Sequence, residues 1–176
     1  MPLLAVSTIG ADRPGIVAAV SRVLLDLGCN IEDSSMSRLH GEFMMMLVVD
    51  GPVDDESLRT ALQPVAGELD LLVAVRRIDA AAQTGAAERP HVVSVYGGDH
   101  PGIVHGVSDL LAGRGVNVTD VTTRLLDPHG TPVYLMLLEV DLPSGLDADV
   151  LGAELAALAG RLGVDATLRA ADPDIL

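Results

Sequence analysis

Asp12-Arg13-Pro14-Gly15-Ile16-Val17-Ala18-Ala19-Val20-Ser21-Arg22-Val23-Leu24-Leu25-Asp26-Leu27-Gly28-Cys29-Asn30-Ile31-Glu32-Asp33 decides the fold, because it occurs twice. The chain 87 residues further on reads Asp99-His100-Pro101-Gly102-Ile103-Val104-His105-Gly106-Val107-Ser108-Asp109-Leu110-Leu111-Ala112-Gly113-Arg114-Gly115-Val116-Asn117-Val118-Thr119-Asp120, with 11 of the 22 aligned positions identical. Repetition at a fixed spacing means that one structural unit is used twice. The 176 residues therefore read as two domains, 1–79 and 90–171, joined by a linker at 80–89 that has some helical character and followed by a tail at 172–176. Domains this small bury a modest share of their surface, so each is expected to lean on another domain or on a second chain.

Working outward, Leu3 to Ile9 is an apolar run with the length of a strand. Pro14 suits a first helical position, and Ile16, Val17, Val20, Val23, Leu24 and Leu27 fall on one stripe of a 3.6-residue period that Gly28 ends. A strand then runs from Asn30 to Arg38, His40-Gly41-Glu42 turns the chain, and Phe43 to Val49 returns it, with Met44-Met45-Met46 as core filling. A second helix is expected over 54–63, ended or kinked by Pro64, and a fourth strand over 69–78. The second half repeats the order: strand 92–96, helix 101–112, strand 116–126, a turn at 127–130, strand 132–142, helix 147–162 with Val150, Leu151, Leu155, Leu158 and Leu162 as its apolar stripe, and strand 164–169. Each half is thus β-α-β-β-α-β, which predicts an α+β fold of two ferredoxin-like units, each with a four-stranded antiparallel sheet and both helices on one face. The sheet edges invite pairing, and a homo-oligomer, a dimer in the simplest case, is expected.

Composition excludes several classes of function. A formal net charge of −14 speaks against direct binding to nucleic acid, which needs basic residues to displace counterions. All 11 basic residues are Arg, so a lysine Schiff base and a phosphate-loop lysine are both ruled out. Cys29, the one cysteine, allows no intramolecular disulfide and reads as a packed apolar side chain. The five histidines are scattered and predict no metal site, and no nucleophile elbow or dinucleotide fingerprint occurs, so neither a cofactor nor an enzymatic activity is expected. With no long apolar span and no basic leader, the chain reads as cytoplasmic, without a membrane partner.

The Pro-Gly pair carries the chemistry. At a helix start the amides of Gly15, Ile16 and Val17 lack intrahelical acceptors, and the helix dipole makes them a seat for a carboxylate. Asp12 suits an ammonium group, and Asn30 at the mouth of the next strand offers both donor and acceptor. Asp99, Gly102, Ile103, Val104 and Asn117 repeat the set. The same signals also make a helix entrance with ordinary capping and no ligand, and repetition leaves both readings open, since a duplicated fold duplicates its folding signals.

Asp-Arg-Pro-Gly-Ile-Val after a first strand, with Gly-Cys-Asn-Ile opening the second, resembles the ligand-binding region of an ACT domain, and Asp-His-Pro-Gly-Ile-Val with Gly-Val-Asn-Val resembles another. The pair covers nearly the whole chain and as a whole is similar to the glycine cleavage system transcriptional repressor family. That resemblance implies a non-catalytic regulatory protein that binds a small amino acid, glycine or serine, where paired domains meet, and that acts through a regulatory protein partner in the transcription of glycine metabolism. The ligand-binding residues it implies are Asp12, Arg13, Pro14, Gly15, Ile16, Val17, Asn30 and Ile31 in the first half. In the second they are Asp99, His100, Pro101, Gly102, Ile103, Val104, Asn117 and Val118, with His100 replacing Arg13 as the main departure. A ligand-free interaction or assembly subunit regulating an enzyme is the alternative.

Overall fold

The computed structural model describes residues 3–78, 89–127 and 132–171. The chain divides into two compact units, Met1–Thr84 and Gly85–Leu176. The expected linker, apart from Arg89, the tail, and most of the 127–130 turn lie outside the described residues.

The first unit runs β1 (Leu3–Ala11), α1 (Ile16–Asp26), β2 (Asn30–Leu39), β3 (Glu42–Asp50), α2 (Asp55–Leu69) and β4 (Leu71–Ile78). The second runs β5 (Pro90–Gly97), α3 (Ile103–Gly113), β6 (Asn117–Leu126), β7 (Val133–Asp141), α4 (Ala148–Leu162) and β8 (Val164–Ala170). The sheets are ordered β2-β3-β1-β4 and β6-β7-β5-β8, with every pairing antiparallel. This is the α+β, ferredoxin-like arrangement expected for both halves.

Alternation along the central strands sends one set of side chains toward the helices. In the first unit Leu4, Val6, Phe43, Met45, Leu47 and Val49 are buried against Ile16, Val20 and Leu24 of α1 and Leu58 and Leu62 of α2. The second unit builds the matching core from Val93, Val95, Met136, Leu138 and Val140 against Ile103, Val107, Leu111, Leu151 and Leu155. Edge strand β2 is exposed throughout and carries a bulge between Ile31 and Asp33; β6 has the same irregularity between Val118 and Asp120. Close approach explains one repeated glycine. A Cβ on Gly10 would stand 2.7 Å from Leu71 and 2.9 Å from the Asp70 carbonyl, and one on Gly97 would stand 2.7 Å from Val164.

Four details differ from the sequence reading. Val17 is 49% exposed and Val150 is also exposed, so the buried stripes of α1 and α4 are narrower than the apolar pattern. The helix after Asp54 continues through Pro64 to Leu69, and β4 accordingly starts at Leu71. Pro64, which has no amide to offer the Thr60 carbonyl, and Thr60 are both exposed, so the break in the helical bonding falls on the solvent side of α2. Of the three methionines only Met45 belongs to the core, because alternation turns Met46 to the other face. Pro14 and Pro101 each precede the helix cap and stand one step outside the helix.

Candidate functional site

Each Pro-Gly loop ends in a left-handed glycine. Gly15 has φ 99° and Gly102 φ 103°, and each is the residue from which its helix starts. Nothing stands within 4 Å of where a Cβ would be on either, so the backbone angle, and not crowding, demands glycine. Their carbonyls accept the first helical bonds, from the Ala19 amide at 2.9 Å and the Gly106 amide at 2.9 Å. The Asp12 amide donates to the Gly41 carbonyl at 2.8 Å and pins the first loop to the β2–β3 turn.

Neither α1 nor α3 has a side-chain cap, whereas α2 and α4 do: Asp54 accepts from the Ser57 amide and Asp147 from the Asp149 amide, each at 2.8 Å. The uncapped starts are therefore those at the repeated loops. Their first amides, including Gly15, Ile16, Val17 and Ala18 in the first unit, lack intrahelical acceptors and carry partial positive charge. A concavity lies against each. The first measures about 820 Å³ and is bordered by Asp12, Arg13, Gly15, Val17, Met36, Arg38 and Phe43. The second, about 410 Å³, is bordered by Asp99, His100, Gly102, Val104 and Tyr134.

The two differ in charge and in free groups. Asp12 is joined to Arg38 at 3.1 Å, so its carboxylate already has a cation. At the register position of Arg38 the second unit carries Leu125, and among the described residues no ion pair reaches Asp99. Of the two carboxylates, Asp99 is the one left to face an ammonium group. Arg13 makes no ion pair among the described residues, while His100 bonds to the Pro101 carbonyl at 3.1 Å and the Leu162 carbonyl at 2.6 Å. Those two carbonyls, with Asp99 nearby, raise the His100 pKa above its ordinary value. Tyr134 replaces Phe43 and brings a hydroxyl, whose pKa is pushed up by burial and by Asp99 against a smaller opposing bond with Thr123.

Asn30, Ile31, Asn117 and Val118 lie elsewhere. Asn30 is paired with Asp50, which is also paired with Leu3, while the loop follows Ala11, paired with Glu42. Eight residues of strand separate the two levels, about 26 Å at 3.3 Å per residue. Asn117, opposite Asp141, is equally far from Gly102. Within one unit the loop and the asparagine therefore form no common cradle. The correction has a simple cause: β1 and β2 are both antiparallel to β3, hence parallel to each other, so the start of β2 lies level with the start of β1 and not with its end. The sequence reading missed Phe43, Tyr134 and Met36 at the loops. Only strand register brings them there, that of the hairpin after Asn30 for Met36 and Phe43 and that of the hairpin after Asn117 for Tyr134.

Beside Asn30, Cys29 packs against Gly51, where an added Cβ would stand 2.5 Å from its sulfur. Burial, with Asp50 adding its charge, pushes the thiol pKa up, away from a reactive thiolate. No helix among the described residues is long and apolar enough to cross a membrane.

Comparison with known proteins agrees with the repeat. The glycine cleavage system transcriptional repressor of Escherichia coli (strain K12) is 29% identical over 159 residues, 87% of this chain and 80% of that protein. A UPF0237 protein of Methanopyrus kandleri is 46% identical over 77 residues, 42% of this chain and 86% of its own. A crystal structure of a protein of unknown function from Galdieria sulphuraria superposes with a TM-score of 0.82 at 28% identity, covering 97% of this chain and 99% of the other. The ACT domain family matches residues 3–76 and again 89–168, so the chain is a tandem member of the ACT domain family.

Proposed function

We propose that this chain is a non-catalytic regulatory protein that senses a small amino acid, glycine or serine, and passes the signal to a protein partner controlling transcription of glycine metabolism. The observation that carries the reading is the pair of uncapped helix starts, each opening from a left-handed glycine onto a concavity. A free amino acid offers a carboxylate for the amides and an ammonium for Asp99. Similarity to the Escherichia coli repressor over most of both chains supports the regulatory role. The charge of −14 favours action through protein contact over DNA binding, and the cytoplasm is the compartment this proposal assigns to it.

Because each asparagine lies about 26 Å from its own loop, a ligand touching both kinds of residue bridges two ACT units. We propose that a second copy of the chain supplies that unit, so that the sensing form is a homodimer. Ligand bound there stabilises the packing for which it has the higher affinity, and the partner reads that difference. Titration calorimetry of the full chain against glycine, serine and the other common amino acids tests the reading. Binding is expected for a small amino acid and is lost in Asp99→Asn at the second loop; no heat with any amino acid refutes the sensing role. The remoteness of Asn30 and Asn117 from the loops favours a second reading, a ligand-free assembly subunit. In that case Asn30→Ala and Asn117→Ala change the oligomeric state while no amino acid has an effect.

A further inference from the structure

We propose that His100 is a protonation-dependent latch that fastens the second Pro-Gly loop to the carboxyl end of α4 and so sets the shape of the second concavity. The inference rests on reading that concavity as an amino-acid site and names how the site is regulated.

Both ring nitrogens face carbonyl oxygens, Nδ1 the oxygen of Pro101 at 3.1 Å and Nε2 that of Leu162 at 2.6 Å. A carbonyl only accepts, and a neutral imidazole has a single N–H, so only the imidazolium satisfies both contacts. Leu162 ends α4, where carbonyls lack intrahelical donors and the helix dipole favours a cation. That end is firmly seated. Gly163 closes it in the left-handed conformation, and a Cβ on Gly106 of α3 would stand 3.3 Å from the Leu162 side chain. The acceptor thus belongs to the packed helix, and the ring that reaches it belongs to the loop. Asp99, His100, Pro101 and Gly102 all border the second concavity, so releasing the ring alters its wall.

Of the groups around the ring, the two carbonyls and Asp99 favour the cation, and Arg161 is a like charge in the last turn of α4. Asp99 lies on its own loop, α4 contributes its carbonyl end with Arg161 one residue before Leu162, and β7 contributes the neutral hydroxyl of Tyr134. A raised pKa in the folded chain means that the latch's stabilisation is complete below the ordinary value of 6.5 and is lost as pH rises through the folded value. The first unit lacks the device: Arg13 stands at the aligned position.

The test is a proton NMR titration of the full chain, with the His100 ring assigned by its loss in His100→Gln. The ring is expected to titrate above 6.5, and the amide shifts of Gly102, Ile103 and Val104 follow the same midpoint in wild type and stay flat in His100→Gln and His100→Arg. A midpoint at or below the ordinary value, or loop amides that ignore it, overturns the latch. Glycine and serine are then added below and above that midpoint. Affinity at the second loop is expected to change by about fivefold or more in wild type, the lower end of usual site coupling, and not at all in His100→Gln. Equal affinity on both sides of the midpoint overturns the regulatory part. If the titration and loop shifts appear and neither amino acid perturbs any amide, the latch stands and the sensing role fails.

Discussion

Thr8 offers a direct test of how the two units differ. It lies on β1 between Met45 and Val73, is fully buried, and its hydroxyl has no hydrogen-bond partner. The repeat supplies the comparison, because the aligned position in β5 is Val95, equally buried. Valine has nearly the shape of threonine, so Thr8→Val removes an unpaired polar atom and leaves no cavity. Removing the desolvation cost of one such hydroxyl stabilises by about 1–2 kcal/mol. For a domain near this size each kcal/mol moves the melting midpoint by about 4–8 °C. In urea, with a slope of about 1 kcal/mol per molar, the midpoint rises by about 1–2 M.

The assay is equilibrium urea unfolding followed by circular dichroism, together with calorimetry, on wild type, Thr8→Val and the reciprocal Val95→Thr. An unchanged slope confines the effect to stability. Thr8→Val is expected to stabilise and Val95→Thr to destabilise by a similar amount, since it buries a hydroxyl among Val93, Met136 and Leu138. A Thr8→Val chain that melts at or below wild type refutes the reasoning. It would mean that the hydroxyl contributes an interaction that its position in the core does not reveal.

Pro64 sits on the solvent face of α2 where α4 has Ala157 at the matching helical position. Pro64→Ala is expected to stabilise the chain by about 1–3 kcal/mol, and a thermal midpoint that does not rise contradicts this. Gly15→Ala forces a φ of 99° on a residue with a side chain and costs about 1–2 kcal/mol although the space is empty, measured by denaturant unfolding. Gly10→Ala, with its Cβ 2.9 Å from a carbonyl oxygen, is expected to cost about 1–3 kcal/mol by overpacking. Asp54 caps α2, and the bonds it accepts from Ser57 hold its carboxyl below the usual 3.8. Its contribution is present above that value and is lost as pH falls through the folded pKa, a fall that Asp54→Ala removes from a plot of stability against acid pH.

What could be read from the sequence, and what could not, follows the range of the interactions involved. The repeat, the strand and helix order, the helix start after Gly15 and the turn at His40-Gly41 are local signals carried by spacing and by a few residue types. Pro64 misled because its exposed face tolerates what a buried helix face would not, and exposure belongs to the packed unit. Val17 and Val150 misled for the same reason. The candidate site was legible only where the chain itself marks it. The Pro-Gly loops were found there, but Phe43, Tyr134 and Met36 reach those loops through strand register, which no short motif encodes.

Asn30 is the instructive case, because the information needed to place it was already in the element order. A strand, a helix and a second strand parallel to the first must begin both strands at the same end of the sheet, so a residue opening the second strand lies opposite a loop closing the first. Sequence proximity of fifteen positions between Gly15 and Asn30 is spent on α1, which carries the chain back along the sheet. If both Gly15 and Asn30 serve one ligand, the geometry requires a second unit to complete the site, and where a second copy of the chain supplies that unit, as proposed, binding depends on assembly. Diluting the protein through its dimer dissociation range must weaken amino-acid binding in parallel. Affinity that is independent of protein concentration refutes a site completed by a second copy of the chain.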